Sequence, residues 1–163
     1  GDSTIAGFAI NRFSRHGIEL LDAGDNTIEG NYIGLDADGV AALGNGGAGI
    51  LVGEASTGNK VGGAAASQRN VISGNGWDGI DIAKESATGN VVQGNFIGTN
   101  PGGDDVGNLS YGVLLHNGAN DAVIGGTAAG TGNVIAHNDY DGITLYNSVI
   151  GHSILGNSIH SNA

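Results

Sequence analysis

Short apolar stretches alternate with glycine, asparagine and polar residues along the whole chain, and the pattern returns at a fixed distance. The segment 70–75, Asn-Val-Ile-Ser-Gly-Asn, comes back 63 residues later at 133–138 as Asn-Val-Ile-Ala-His-Asn. A second signature, Gly-Asn followed by an aromatic residue, Ile and Gly, occurs at 30–34 and 94–98. A fixed period of this kind is typical of a solenoid, in which each repeat packs only on its neighbours.

Five stretches begin with Gly and then alternate apolar with other residues, which is the period of a half-buried strand. They start at Gly17, Gly49, Gly79, Gly112 and Gly142, so successive starts lie 32, 30, 33 and 30 residues apart. We call these the first strands of the coils. The alternation predicts that the following side chains point inward: Ile18, Leu20, Ile50, Val52, Ile80, Ile82, Val113, Leu115, Ile143 and Leu145.

Two further strands are predicted in each coil. Second strands are centred on Ile28, Val61, Val92, Ile124 and Ile154, with Phe8 as an earlier member. Third strands are centred on Phe13, Ile33, Ile72, Ile97, Ile135 and Ile159. The chain therefore predicts five to six coils of about 31 residues with three short strands each. Because long loops fall at different corners in successive coils, the full repeat is two coils, or about 63 residues.

An Asn precedes each predicted third-strand centre by two residues. The six are Asn11, Asn31, Asn70, Asn95, Asn133 and Asn157. Asn tolerates the left-handed backbone of tight bends and bonds nearby backbone groups through its amide. In stacked coils each amide can also bond the amides above and below it. We therefore expect a ladder of asparagines along one corner.

Composition and charge exclude several classes of function. The 163 residues include 33 Gly, one Pro and no Cys, which argues against long helices and rules out disulfides and thiol chemistry. The net charge of −11 opposes binding to the phosphates of nucleic acids. No apolar run reaches the ~18 residues that span a membrane.

Residues 1–163 are predicted to form a single domain, which we interpret as part of a longer chain. The sequence begins and stops within a coil, without a recognisable capping segment. Bare strand edges at both ends favour end-to-end self-association, so a fibre-forming subunit is one functional hypothesis.

The two signatures, the Ile-Gly-Gly at 124–126 and the Gly-Ile-x-Ile strands resemble the repeats of right-handed parallel β-helix proteins of the pectate-lyase-like group. The resemblance covers about residues 4–159. It implies an all-β, right-handed parallel β-helix from a bacterial protein that is secreted or held at the cell surface. It does not select one function, because this fold carries lyases, hydrolases, epimerases, tailspikes and non-enzymatic repeat arrays.

The candidate binding surface lies just before the first strands, where stacking would align Trp77, Tyr111 and Tyr140 beside Asp78 and Asp141. Flat rings stack on the C–H faces of sugars, and carboxylates accept hydrogen bonds from sugar hydroxyls, so this column suits a polysaccharide. The alternative is that the rings cover the edge of the core and the acids solvate a turn.

Catalysis at this surface would rest on Asp78, Asp81 and Asp141, since glycosidases need two carboxyl groups ~5 Å or ~6.5–9.5 Å apart. The sequence lacks the motifs of the enzymes that the resemblance suggests: the paired Asp and Gly-His-Gly of polygalacturonases, the Arg and Lys cluster of pectate lyases, and the Asp-Pro-His of alginate epimerases. We therefore expect a non-catalytic protein.

Acidic residues in two matching loops are the only candidate metal ligands. Asp36 and Asp38 lie in one Gly-bent loop, and Asp104 and Asp105 occupy the equivalent loop two coils later. Carboxylates suit Ca²⁺, but the rest of an EF-hand loop is missing and acidic turns explain the residues as well. We expect no cofactor, with Ca²⁺ as the alternative.

The sequence thus favours an extracellular structural or adhesive scaffold. The alternatives are a carbohydrate-binding module, a polysaccharide lyase or hydrolase with its site on the first-strand face, and a fibre-forming subunit.

Overall fold

The computed structural model describes residues 1–163 and consists of 17 short strands and one 3₁₀ turn. The first six strands are β1 (Thr4–Ala6), β2 (Ala9–Ile10), β3 (Ile18–Leu21), β4 (Thr27–Glu29), β5 (Tyr32–Ile33) and β6 (Ile50–Gly53). The next five are β7 (Lys60–Gly62), β8 (Val71–Ile72), β9 (Ile80–Ala83), β10 (Val91–Gln93) and β11 (Phe96–Ile97), with the 3₁₀ turn at Ala66–Gln68. The last six are β12 (Val113–His116), β13 (Val123–Gly125), β14 (Val134–Ala136), β15 (Ile143–Tyr146), β16 (Ser153–Leu155) and β17 (Ser158–His160).

Each coil contributes one strand to each of three parallel sheets. The first sheet has the order β3-β6-β9-β12-β15, the second β1-β4-β7-β10-β13-β16 and the third β2-β5-β8-β11-β14-β17. Neighbouring coils are in register, so that Ile50 pairs with Ile80 and Ile80 with Val113. The predicted right-handed parallel β-helix is confirmed.

Stacked aliphatic side chains fill the interior. Ile28, Ile33, Ile50, Ile80 and the equivalent residues of the middle coils are fully buried, and each contributes about 1.5–3 kcal/mol by leaving water. The predicted inward residues of the first sheet follow this pattern through β12. In β15, Leu145 keeps the register but is 46 % exposed, because no strand pairs with the far edge of β15.

The first coil differs from the prediction. Ile5, not Phe8, pairs with Ile28 in the second sheet, and Ile10, not Phe13, pairs with Ile33 in the third. The prediction was wrong because Asn11 and Phe13 reproduce the Asn-x-apolar spacing one corner too late. Both phenylalanines are exposed.

Each first strand begins with glycine because the third-strand isoleucine fills the space beside it. A Cβ on Gly79 would lie 2.6 Å from Cγ2 of Ile97 and 2.7 Å from the Gly112 carbonyl oxygen. Such contacts are too short for any side chain, so glycine at this position lets the coil close tightly around its core.

The long loops leave the β-helix at two of its corners. One, at 62–70, carries the 3₁₀ turn. Two others fold into matching antiparallel bridges, Leu35 with Ala42 and Thr99 with Asp105. The helical segment, three residues long, is too short to cross a membrane.

Candidate functional site

A ladder of buried asparagines fixes the corner between the second and third sheets. The Nδ2 of each Asn donates to Oδ1 of the next, from Asn31 through Asn70, Asn95 and Asn133 to Asn157, over 2.8–3.1 Å. Asn11 is not a member: its amide donates to the Leu35 carbonyl oxygen. In the first coil the backbone N–H of Phe8 takes its place and donates to Asn31.

Two further ladders occupy the other corners, and the sequence reasoning missed both. The ladder between the third and first sheets consists of Asn45, Asn75, Asn108, Asn138 and Asn162. The ladder between the first and second sheets consists of Asn26, Asn59 and Asn90. The signal was available, because these asparagines also recur at a constant position. Asn45, Asn75, Asn108 and Asn138 lie four residues before the glycine that opens a first strand, and the three of the other ladder lie one residue before a second strand.

The third-to-first ladder places the aromatic residues, because it ends each coil just before the first strand begins. We call Trp77, Tyr111, Tyr140, Asp78 and Asp141 the aromatic face. The rings of Tyr111 and Tyr140, one coil apart, lie 5.5 Å apart between centroids at an angle of 38°. Tyr140 and Trp77 are each 57 % exposed. Trp77 and Tyr140 therefore present ring surface to solvent, whereas Tyr111 is partly buried.

Trp77 is held by a neighbour that the sequence analysis left unassigned. Its ring meets the ring of His16 edge-on, with centroids 6.1 Å apart. His16 is itself fixed, since its Nδ1 accepts a hydrogen bond from the Ala48 N–H at 3.1 Å. The indole thus rests on a rigid support two coils away.

The two carboxylates of the aromatic face make different contacts. Asp78 is almost fully buried, and its Oδ1 accepts a hydrogen bond from the N–H of Tyr111 at 3.1 Å. Asp141 is exposed, and its Oδ2 accepts from the Thr144 hydroxyl at 2.9 Å. Asp78 therefore fixes the backbone that carries one ring, whereas Asp141 faces solvent.

Asp81 and His116 form a side-chain pair on the outer surface of the first sheet. Oδ1 of Asp81 lies 2.9 Å from Nε2 of His116 on the next strand. Burial raises the pKa of the Asp81 carboxyl, the positive charge of His116 opposes that shift, and the negative charge of Asp78 adds to it. His116 was not among the predicted site residues. The diagonal position of two outward residues on adjacent strands would have indicated the contact.

The loop acids bond to their own loops. Oδ1 of Asp36 accepts from the N–H groups of Val40 and Ala41, and these bonds, Val40 first, lower the pKa of its carboxyl. Asp104 accepts from the Asn100 amide and Asp105 from the Gly107 N–H, while Asp38 is exposed. No three side chains of His, Asp or Glu converge as metal ligands anywhere in the structure.

These observations define the class of protein. It is a right-handed parallel β-helix with aromatic rings and carboxylates along its first sheet. The chain belongs to the family described as "Periplasmic copper-binding protein (NosD)", which its sequence matches over residues 2–163. This description agrees with the expected location outside the cytoplasm. No curated protein and no solved structure matches the chain.

Proposed function

We propose that this chain is a non-catalytic, extracytoplasmic scaffold that binds polysaccharide at its aromatic face. The observation that carries the proposal is the group of rings just before the first strands: a Tyr111–Tyr140 pair and an exposed Trp77 braced by His16. Sugar rings stack their C–H faces on such surfaces, and aromatic side chains contribute large contact areas at low entropic cost.

The rigidity of the coil supports binding of an extended chain. Buried asparagine ladders and in-register sheets hold the backbone that carries the rings, and successive coils lie ~4.8 Å apart. A ligand that meets rings already in place loses less free energy to ordering the protein. Asp141, exposed beside Tyr140, supplies an acceptor for sugar hydroxyls.

Binding without cleavage is supported by the partners of the carboxylates. Asp78 bonds to a backbone N–H, Asp81 to His116 and Asp141 to Thr144. A polysaccharide hydrolase or lyase is the second candidate, because a carboxyl group with a raised pKa, as in Asp81, is suited to act as a general acid.

Copper is named in the description of the family, but the residues of this chain do not fit a copper site. Copper(I) takes thiolate and thioether ligands, and copper(II) takes several nitrogen and oxygen ligands in a tetragonal arrangement. The chain has no Cys and no Met. His137 and His160 form a ring pair with centroids 6.2 Å apart, without a third candidate ligand beside them. The proposal therefore assigns no role to copper.

A glycan array probed with the wild-type chain, Trp77→Ala and Phe8→Ala tests the proposal. Phe8 is an equally exposed aromatic residue at another corner, so it controls for loss of an exposed ring. We expect binding that Trp77→Ala weakens and Phe8→Ala leaves unchanged. Absence of binding to every glycan, or binding indifferent to Trp77→Ala, contradicts the proposal. Release of reducing or unsaturated ends from a bound polysaccharide would identify the enzyme instead.

A further inference from the structure

A groove on the third sheet, away from the aromatic face, contains a fixed guanidinium. It lies beside the 62–70 loop and has a volume of about 250 Å³. Its lining includes Tyr32, Ser67, Arg69, Val71 and Pro101. We call it the Arg69 groove. None of these residues belongs to the aromatic face.

Two contacts hold the side chain of Arg69 in place. Its Nε donates to the Gly94 carbonyl oxygen at 2.7 Å, and its guanidinium carbon lies 4.6 Å from the centroid of the Phe96 ring. The terminal Nη atoms make no hydrogen bond within the chain, and no carboxylate pairs with them. Glu29, an acid at the same corner, bonds to Gln68 instead.

The rest of the groove is built for a small ring. Pro101 is exposed and supplies apolar surface, and Ser67 supplies a hydroxyl group. The Tyr32 ring packs against the neighbouring loop, where a Cβ on Gly39 would lie 2.5 Å from its Cε1. Both the aromatic wall and the cation are thus in place before a ligand arrives.

We propose that the Arg69 groove binds a small ring-bearing carboxylate. A planar guanidinium with free Nη atoms matches the two oxygens of a carboxylate, and such charge-assisted pairs are among the strongest hydrogen bonds in proteins. The ring of the ligand lies against Tyr32 and Pro101. This site goes beyond the polysaccharide binding proposed above and does not depend on it.

Calorimetric titration with separate small-molecule probes tests the inference. Glucuronate and benzoate carry the carboxylate on a sugar ring and on an aromatic ring, so they distinguish the two sources of such a ligand. Glucose is the neutral match for glucuronate, and inorganic phosphate and sulfate test a preference for tetrahedral anions. We expect saturable binding of at least one carboxylate, and weaker or no binding of glucose, phosphate and sulfate.

The variants locate that binding. Arg69→Gln should weaken it by about tenfold or more, and Arg69→Lys should restore only part of it, because a point charge replaces the planar fork. Lys60→Gln removes the same charge from the second sheet and should change nothing.

Several results would overturn the inference: no binding of either carboxylate, equal binding of glucose that Arg69→Gln weakens to the same extent, tighter binding of phosphate or sulfate, or unchanged carboxylate affinity in Arg69→Gln. If Arg69→Gln fails to fold, Arg69→Lys decides the matter, since unchanged carboxylate affinity in that variant also contradicts it.

Discussion

Oδ1 of Asp81 and Nε2 of His116 lie 2.9 Å apart across adjacent strands of the first sheet. The contact joins a largely buried carboxyl group, whose pKa burial raises, to an imidazole that opposes the shift. Protonation of the Asp81 carboxyl is therefore linked to folding.

Replacing Asp81 by Asn should change how stability depends on pH. Because the pKa of Asp81 is raised on folding, its contribution is fully present below the unfolded value of about 3.9 and is lost as pH rises through the folded value. The free energy of unfolding of Asp81→Asn relative to wild type should therefore increase from about pH 4 to pH 7. Chemical denaturation across this range measures the difference, with Leu114→Asn as a control that removes no ionisable group. A difference that falls with pH contradicts the account.

Asn95 should matter far more to stability than Asn11. Its Oδ1 accepts from Asn70, and its Nδ2 donates to Val61, Gln93 and Asn133, so Asn95→Ala leaves several buried groups unpaired. We expect a loss of about 3 kcal/mol or more, against about 1 kcal/mol for Asn11→Ala, which breaks one bond to Leu35. Urea denaturation of both variants gives the comparison. Equal losses in the two variants would mean that a place in the asparagine ladder does not determine how much an asparagine contributes to the free energy of unfolding.

Gly79→Ala should destabilise the coil strongly, because the new Cβ would lie 2.6 Å from Ile97 and packed cores resist added atoms at a cost of roughly 1–3 kcal/mol. Gly53→Ala is the matched control: Gly53 ends β6 where Ala83 ends the paired strand β9, and its added Cβ would meet only Leu21, at 3.1 Å. Thermal denaturation should separate the two variants by several degrees. A Gly79→Ala variant as stable as Gly53→Ala would show that the close approach is not required.

His152 occupies the place of a ladder asparagine, and replacing it should repair the corner. Its Nδ1 accepts from the Ala122 N–H, while its buried Nε2 has no partner. Burial also lowers the pKa of His152, so its contribution is present above the unfolded value of about 6.5 and is lost as pH falls through the folded value. His152→Asn keeps an acceptor for Ala122 and removes this titration.

The stability gain of His152→Asn should therefore grow as pH falls from about 7 to 5. Denaturation midpoints at several pH values measure it, and the same change at exposed His160 shows the effect of losing an imidazole elsewhere. Parallel pH profiles for wild type and His152→Asn contradict the prediction.

The period of the sequence was sufficient to predict the fold, because apolar positions two apart recur at nearly constant spacing in every coil. Ile50, Ile80 and Val113 lie where that spacing put them. The first coil was misplaced because Asn11 imitates a corner asparagine, while Phe8 occupies the actual corner position.

The site was predictable only in part. Stacking brought Tyr111 and Tyr140 together because both lie just before a first strand. Trp77 contacts His16 across an intervening coil, where Gly47 and Ala48 are small enough to leave room for the two rings. The residue pattern of a single strand does not predict a contact between side chains two coils apart. The Arg69 groove depends on how the 62–70 loop folds back over the third sheet, which no periodicity describes.

Trp77 is the sole tryptophan of the chain, so its fluorescence reports directly on the aromatic face. Titration of the wild-type chain with the polysaccharide selected by the array should give a saturable change in Trp77 emission. Tyr140→Ala should weaken the affinity by about tenfold, and Phe8→Ala should leave it unchanged. Binding that leaves Trp77 emission unaltered, or that Phe8→Ala weakens as much as Tyr140→Ala, would contradict the assignment of the aromatic face as the polysaccharide-binding surface.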